Sequence, residues 1–232
     1  MNCSHFTYWR GATVAVVLLG CCAGASAENP SSPAEVAAPP PLVEMREPRP
    51  GDHWVYRVKD EISGAVKRTR TDTITEVAPN EITVRIQVSD RDSPNVILYD
   101  RAWNIKQEVP FKYSPHDGNG VQLPLKVGGA WKSSVDIINT KEGMTFKRTG
   151  ASKVVGEETI STPAGTFDTF IVETTATSKN AQDPTLVNQI SMRTWFCPSV
   201  NHWVKRTAER KRWGHVADSI SLELIDYGRK KQ

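Results

Sequence analysis

The segment TPAGTFDTF, residues 162–170, places a turn directly before a strand. Pro163 fixes one backbone dihedral and has no N–H for a strand ladder, so strand pairing must pause at this residue. Gly165 tolerates the positive φ that other residues resist, and the large apolar side chain of Phe167 follows at once. The segment therefore predicts a tight turn with Gly165 at positive φ, followed by a strand that begins at Thr166 and buries Phe167.

On both sides of this turn, short runs of alternating apolar and polar residues are separated by turn residues. Runs of this kind, rich in β-branched and aromatic residues, are typical of strands with one buried face. Ile220, Leu222 and Leu224 give the clearest alternation. No segment after Gly51 has the i, i+3, i+4, i+7 apolar spacing of an amphipathic helix. We predict strands at 54–58, 69–77, 82–88, 96–99, 103–109, 131–138, 145–155, 167–177, 190–196, 203–209 and 219–227.

A partial repeat links the two halves of this pattern. Gly51 stands three residues before Trp54, and Gly128 stands three residues before Trp131, each pair at the start of a run. This spacing predicts a glycine-permitted turn that leads into a strand whose first large side chain enters the core. The repeat indicates two related β halves divided near residues 120–125. The aromatic residues predicted to be largely buried are Trp54, Trp131, Phe167 and Phe170.

The composition limits the classes of partner. The 232 residues include 29 Lys+Arg and 26 Asp+Glu, which gives a formal charge of +3. With so small a positive excess, we expect no nucleic-acid partner. Hydrophobic residues make up 38% and charged residues 24%, which suits a packed core rather than a membrane bundle. Cys3, Cys21 and Cys22 lie near the N-terminus, so no disulfide framework is available around the fourth cysteine, Cys197.

The first 27 residues have the order of a secretory signal. Arg10 supplies positive charge, residues 12–19 form a short apolar run, and small residues follow up to Ala27. The run is too short for a transmembrane helix, which needs about 20 apolar residues. We therefore predict a signal peptide over residues 1–27, a location in the periplasm or cell envelope, and no transmembrane span in the mature chain.

Two processing sites fit this signal. The sequence ASA at 25–27 would be cut to release a soluble protein that starts at Glu28. The sequence LLGC at 18–21 resembles a lipobox, which would lipidate Cys21 and anchor the protein through acyl chains. Both alternatives stay open at this point, and we slightly favour the soluble form. Residues 28–47 are rich in Pro, Ala and Ser and predict an extended linker before a β-domain over residues 48–232.

Residues with catalytic or metal-binding chemistry form no recognised spacing. The region around His116, residues 114–120, is rich in Pro and Gly and predicts a surface turn rather than a metal site. Cys197 has His202 nearby in sequence, but we interpret the cysteine as structural. We expect no catalytic residue, no metal and no cofactor. The histidines of the predicted mature chain are His53, His116, His202 and His215.

A basic segment flanked by tryptophans lies at residues 203–213. Its cations would suit the head group of an anionic lipid or another polyanion. A strand would place Lys205 and Arg206 on opposite faces, which weakens this interpretation. The alternative is a solvated hairpin whose charged tip protects the sheet edge. The candidate contact residues are Lys205, Arg206, Arg210, Lys211 and Arg212.

Three motifs carry a resemblance to a known group of proteins. Residues 162–170, together with GDHWVY at 51–56 and WFCPSV at 195–200, resemble the TapB-like and related families of bacterial envelope proteins, many of uncharacterised function. WVK at 203–205 matches the strand that follows the last motif. The resemblance spans roughly residues 48–227 and implies a curved antiparallel sheet or half-barrel. It implies no catalytic residues, and Cys197 departs from its pattern.

These observations define an expectation for fold and function. We predict an all-β fold with a single curved antiparallel sheet or half-barrel and little helix beyond the signal peptide. The leading hypothesis is an exported, non-enzymatic domain whose concave face binds an apolar ligand, such as a lipid, or an envelope protein. The alternative is a structural or assembly factor of the envelope without a ligand. We do not expect an enzyme.

Overall fold

The computed structural model describes residues 45–229, which form an all-β fold. Each strand pairs antiparallel with its neighbour in sequence, and the first strand also pairs with the last, so the sheet closes into a twelve-stranded barrel. Residues 45–229 contain no helix with the length and hydropathy needed to cross a membrane. The strands are β1 (Asp52–Asp60), β2 (Val66–Val77), β3 (Ile82–Val88), β4 (Asn95–Tyr99), β5 (Ile105–Glu108), β6 (Phe111–Ser114), β7 (Ala130–Asn139), β8 (Thr145–Thr162), β9 (Gly165–Asn180), β10 (Val187–Cys197), β11 (His202–Arg212) and β12 (His215–Arg229).

The single curved antiparallel sheet predicted from the sequence is confirmed, and its curvature continues to full closure. The closing pair runs from Asp52 opposite Arg229 to Asp60 opposite Ile220. A register shift between Val55 and Tyr56 interrupts this pair. Bulges of this kind increase strand twist and bending, which a sheet needs in order to meet its own edge. Closure leaves the sheet without a free edge for pairing with other chains.

The hairpin between β8 and β9 contains the turn predicted at residues 162–165. Thr162 pairs with Gly165, and Pro163 lies at the tip of the turn. Gly165 has φ 135°, a conformation that L side chains rarely adopt. Phe167 follows it and is fully buried, with its ring 5.7 Å from the ring of Tyr227.

Two sequence predictions about strands need correction. The run predicted at 103–109 is shortened to β5, because Trp103 lies in a loop with φ 64°. The short strand β6 was not predicted, since its four residues lie between Pro110 and Pro115 and are too few to show alternation. Both strands lie in the part of the barrel where the chain changes direction most often.

Burial of the four predicted core aromatics is uneven. Trp54 and Phe167 are fully buried, whereas Trp131 and Phe170 are half-buried and pack against the outside of the same core. Trp131 stands near the start of β7, where it lines a surface depression beside the β6–β7 loop. All four therefore pack in or against the core, and Trp131 and Phe170 keep part of their surface exposed. Gly51 and Gly128, which precede β1 and β7, have φ 91° and 86°.

Candidate binding site in the accessible end of the barrel

One end of the barrel is filled by aromatic side chains, which we call the aromatic plug: Trp54, Tyr56, Trp103, His202 and Trp203. The His202 ring stacks on Trp54 at 4.3 Å between centroids and meets the edge of Trp103 at 4.5 Å. The Tyr56 hydroxyl donates to the Trp203 carbonyl at 2.8 Å and lies 2.5 Å from Nδ1 of His202. Burial lowers the pKa of His202 well below its usual range, which favours the uncharged ring inside the plug.

Met45 extends the packing at the plugged end. Its side chain is fully buried, and its backbone N–H donates to the carbonyl of Ser199. The Pro/Ala/Ser composition of residues 28–47 predicts that this residue belongs to the linker. The structure shows instead that the packed part of the chain includes residue 45, because an apolar side chain seals the barrel at that point.

A layer of polar groups lies behind the plug, inside the barrel. Arg70 forms a two-point ion pair with Asp72, with Nε–Oδ1 at 2.6 Å and Nη2–Oδ2 at 2.8 Å. Burial raises the pKa of Asp72, and Arg70 opposes this rise. Burial also opposes the charge of Arg70, but the Asp72 carboxylate outweighs it and the pKa of Arg70 is raised overall. The pair is therefore a fixed charged element on the barrel wall.

Two further arginines enter the same interior without an ion pair among residues 45–229. Arg206 donates from Nε to Thr194 Oγ1 at 3.0 Å, and its guanidinium carbon lies 3.7 Å from the Trp203 ring centroid. Burial lowers the pKa of Arg206 to about 10. Arg148 donates to the backbone carbonyl of Asp117 at 2.5 Å. These guanidinium groups are held by neutral oxygens and by an aromatic face rather than by carboxylates.

The opposite end of the barrel is accessible to solvent and contains a cavity of about 180 Å³. The cavity opens at the end of the barrel that contains the β3–β4 loop and the turn between β1 and β2. One wall is apolar and the other is polar, and several of the lining residues on both walls are half-buried. The apolar wall consists of Val58, Ile86, Val88, Ile220 and Leu222, and the polar wall consists of Arg68, Arg70, Arg91, Ser93, Asn95 and Glu108. We call this cavity the mouth pocket.

The polar wall of the mouth pocket is rich in cationic donors. Arg68 contacts Asp90 with Nη1 at 3.0 Å, and Arg91 makes no ion pair within the described part of the chain. Glu108 supplies the carboxyl group of the lining and accepts from Asn95 at 3.2 Å. Burial raises the pKa of Glu108, with Arg70 opposing this rise. Three guanidinium groups and one partly desolvated carboxyl group thus face the same small space.

The mouth pocket was not predicted from the sequence, although the sequence contains one signal for it. Arg68, Arg70 and Asp72 occupy alternate positions of β2, in phase with the buried Ile74. Charged residues on the apolar phase of a strand predict a polar barrel interior. The remaining lining residues come from strands that are distant in sequence, so no local pattern connects them.

The five predicted basic contact residues do not form one surface. Strand alternation directs Arg206, Arg210 and Arg212 into the barrel, and Arg212 donates to Asn188 Oδ1 at 3.2 Å. Lys205 lies on the outer face, 5.1 Å from the Trp195 ring centroid, and Lys211 is paired with Glu209 at 3.1 Å. The prediction of a shared anionic contact is wrong for Arg206, because its guanidinium group is held inside the barrel.

The remaining predicted residues lie away from the mouth pocket. Asp117, next to His116, is buried, and its Oδ1 accepts from the backbone N–H groups of Ile105 and Asn119, so this stretch is a packed loop rather than a surface turn. Cys197 is buried with Sγ 3.1 Å from Ser199 Oγ. Among residues 45–229, no three His, Cys, Asp or Glu side chains are grouped closely enough to hold a metal ion. Cys21 lies outside the described residues.

The outer face of the long strands has two shallow grooves of about 520 and 350 Å³. Their walls are formed mainly by hydroxyl-bearing and charged side chains such as Thr175, Ser191 and Glu209. These grooves are open along their length and lack the apolar wall that distinguishes the mouth pocket. Two larger depressions, of about 560 and 490 Å³, lie beside Phe170 and Trp131. We take the mouth pocket as the candidate site because its lining combines three guanidinium groups with an apolar wall inside the barrel.

Comparison with known proteins adds information about the backbone only. No protein-family model and no curated protein matches the chain. A candidate lipoprotein from Parabacteroides distasonis is 14% identical, covers 81% of this chain and 100% of its own, and has a TM-score of 0.49. A candidate exported protein with a YmcC-like fold from Bacteroides fragilis is 12% identical, covers 78% and 97%, and has a TM-score of 0.49. The hypothetical lipoprotein YmcC from Escherichia coli is 10% identical, covers 80% and 89%, and has a TM-score of 0.47.

At TM-scores below 0.5, these likenesses support no argument about what this chain binds or does. The neighbours are exported proteins or lipoproteins by name, and the TapB-like resemblance stays a prediction.

Proposed function

We propose that the protein is an exported, non-enzymatic domain of the bacterial cell envelope that binds a small ligand in the mouth pocket. The observation that carries the proposal is the contrast within one barrel interior. Aromatic side chains fill the barrel interior at the plugged end, whereas the interior at the accessible end retains a cavity of about 180 Å³ beside half-buried apolar side chains. Enclosed spaces with an apolar wall and a few placed polar groups are the usual form of small-molecule sites.

Export rests on the N-terminal signal order, which lies outside the described residues. The intact mass of protein from the envelope fraction tests it directly. We expect a chain that starts at Glu28 or at a lipidated Cys21. In the first case Cys21→Ser leaves localisation unchanged, and in the second it releases the protein from membranes. A mass that retains residues 1–20 would reject both forms.

Ligand binding is tested by native mass spectrometry of the protein purified from its own host. We expect a bound small molecule in the wild type and its loss in Val88→Phe, because Val88 is half-buried in the apolar wall. Val96→Phe is the matched control, since Val96 is 52% exposed on the outer face of β4. If the wild type carries no small molecule, the proposal fails and the alternative of a structural envelope factor without a ligand takes its place.

A further inference from the structure

We propose, on the basis of the proposed function, that the ligand of the mouth pocket is a small amphipathic anion with an apolar group about the size of a benzene ring. Each part of such a ligand would match one wall of the cavity: the apolar group the apolar wall, and the anionic group the polar wall. The cavity, its two chemically different walls and the donors left free on the polar wall support this ligand class.

The size of the apolar group follows from the volume of the cavity. A protein cavity of about 150 Å³ accepts benzene. The mouth pocket has about 180 Å³, so it fits one aromatic ring or a comparably short chain together with a small head group. The ring would lie against Ile220 and Leu222 of β12 and Val58 of β1, which form a continuous apolar surface across the closing strand pair.

The charge of the head group follows from the hydrogen-bond donors of the polar wall. Arg70 uses Nε and Nη2 on Asp72, and Arg68 uses Nη1 on Asp90, so each keeps further N–H groups. Arg91 has no side-chain bond within residues 45–229 and keeps all of its donors. Guanidinium groups bind planar or tetrahedral oxyanions through paired N–H···O bonds. A carboxylate, sulfonate or phosphate group therefore suits this wall better than a neutral group.

The lining also contains the carboxyl group of Glu108, which is expected to weaken the binding of an anion. This opposite effect can be tested by mutation. Glu108 faces the same cavity as the three arginines. Its carboxyl group would repel an anionic head group whenever it is ionised. Removing that charge should strengthen anion binding, whereas removing Arg91 should weaken it. Opposite responses of two residues in one pocket are not expected from a purely structural role.

The probes are benzenesulfonate and benzenesulfonamide, which have nearly the same shape but differ by one negative charge. Binding is measured by isothermal titration calorimetry on the mature protein at pH 7. We expect benzenesulfonate to bind about tenfold more tightly than the amide. Arg91→Ala should weaken sulfonate binding about fivefold, and Glu108→Gln should strengthen it by a similar factor, with little effect on the amide.

Two variants control the measurement. Arg85→Ala removes an exposed guanidinium group from the outer face of β3 and should leave binding of both probes unchanged. Val88→Phe fills the pocket and should abolish binding of both probes. If sulfonate and amide bind equally and Val88→Phe abolishes both, the anionic class is wrong while the pocket remains a binding site. If benzenesulfonate shows no saturable binding, the inference is overturned, and the proposed function then depends on the native ligand experiment alone.

Discussion

The two ends of the barrel differ in how their interior positions are filled. At the plugged end, Trp54, Tyr56 and His202 are almost fully buried and contact one another through rings and hydrogen bonds. At the accessible end, Val88 and Ile220 are half-buried beside arginine side chains. The same alternation of strands thus produces a packed core at one end and a lined cavity at the other. One barrel interior can therefore have separate segments for stability and for binding.

The largest effect should come from removing a plug residue. We expect Trp54→Ala to lower the free energy of unfolding by about 3–5 kcal/mol, because the ring is fully buried. Its Nε1–H also donates to the carbonyl of Val200. Urea unfolding followed by fluorescence measures the loss. At the accessible end, Ile220→Ala should cost clearly less. Equal losses at the two ends would remove the distinction between them.

The hairpin turn at the plugged end should give the next largest effect. We expect Gly165→Val to destabilise the fold by about 1–3 kcal/mol, because a side chain at φ 135° strains the backbone. A Cβ at this position would meet only the Phe167 ring at 3.7 Å, so crowding adds little. Gly156→Ala is the control, since its added Cβ meets nothing within 4 Å. An unchanged denaturant midpoint for Gly165→Val would contradict the turn.

Acid should weaken the plugged end through His202. Its pKa is lowered in the folded state, so below about pH 6.5 the unfolded chain binds a proton that the folded chain does not. Stability is therefore lost as pH falls, by about 1.4 kcal/mol between pH 7.5 and 5.5 from this residue. Denaturant titrations at both pH values, on wild type and His202→Gln, isolate the contribution. Parallel pH dependence in the two proteins would show that His202 is not the titrating group.

The smallest effect on stability should come from the polar wall of the mouth pocket. We expect Arg91→Ala to change the free energy of unfolding by no more than about 0.5 kcal/mol, because its exposed side chain forms no ion pair in residues 45–229. Thermal unfolding measures this. A loss of several kcal/mol would mean that Arg91 holds the barrel together rather than facing a ligand.

The sequence allowed local features of the fold to be predicted, but not the relations between distant strands. Alternation at Leu222 and Leu224 and the turn chemistry around Gly165 act within a few residues, so they can be read directly. Closure of the barrel cannot be predicted in this way, because Asp52 pairs with Arg229 only after the whole sheet has curved. The mouth pocket could not be predicted for the same reason, since Val58 and Leu222 become neighbours only through closure of the barrel.

In the proposed function, ligand binds in the mouth pocket at the accessible end and not at the plugged end. The most direct test is amide chemical-shift mapping of the mature protein titrated with benzenesulfonate. We expect saturable shifts at the pocket-lining residues Val58, Arg70, Val88 and Asn95, with no comparable shifts at Trp54 or His202. Shifts confined to the plugged end or to the outer grooves around Thr175 and Ser191 would contradict it.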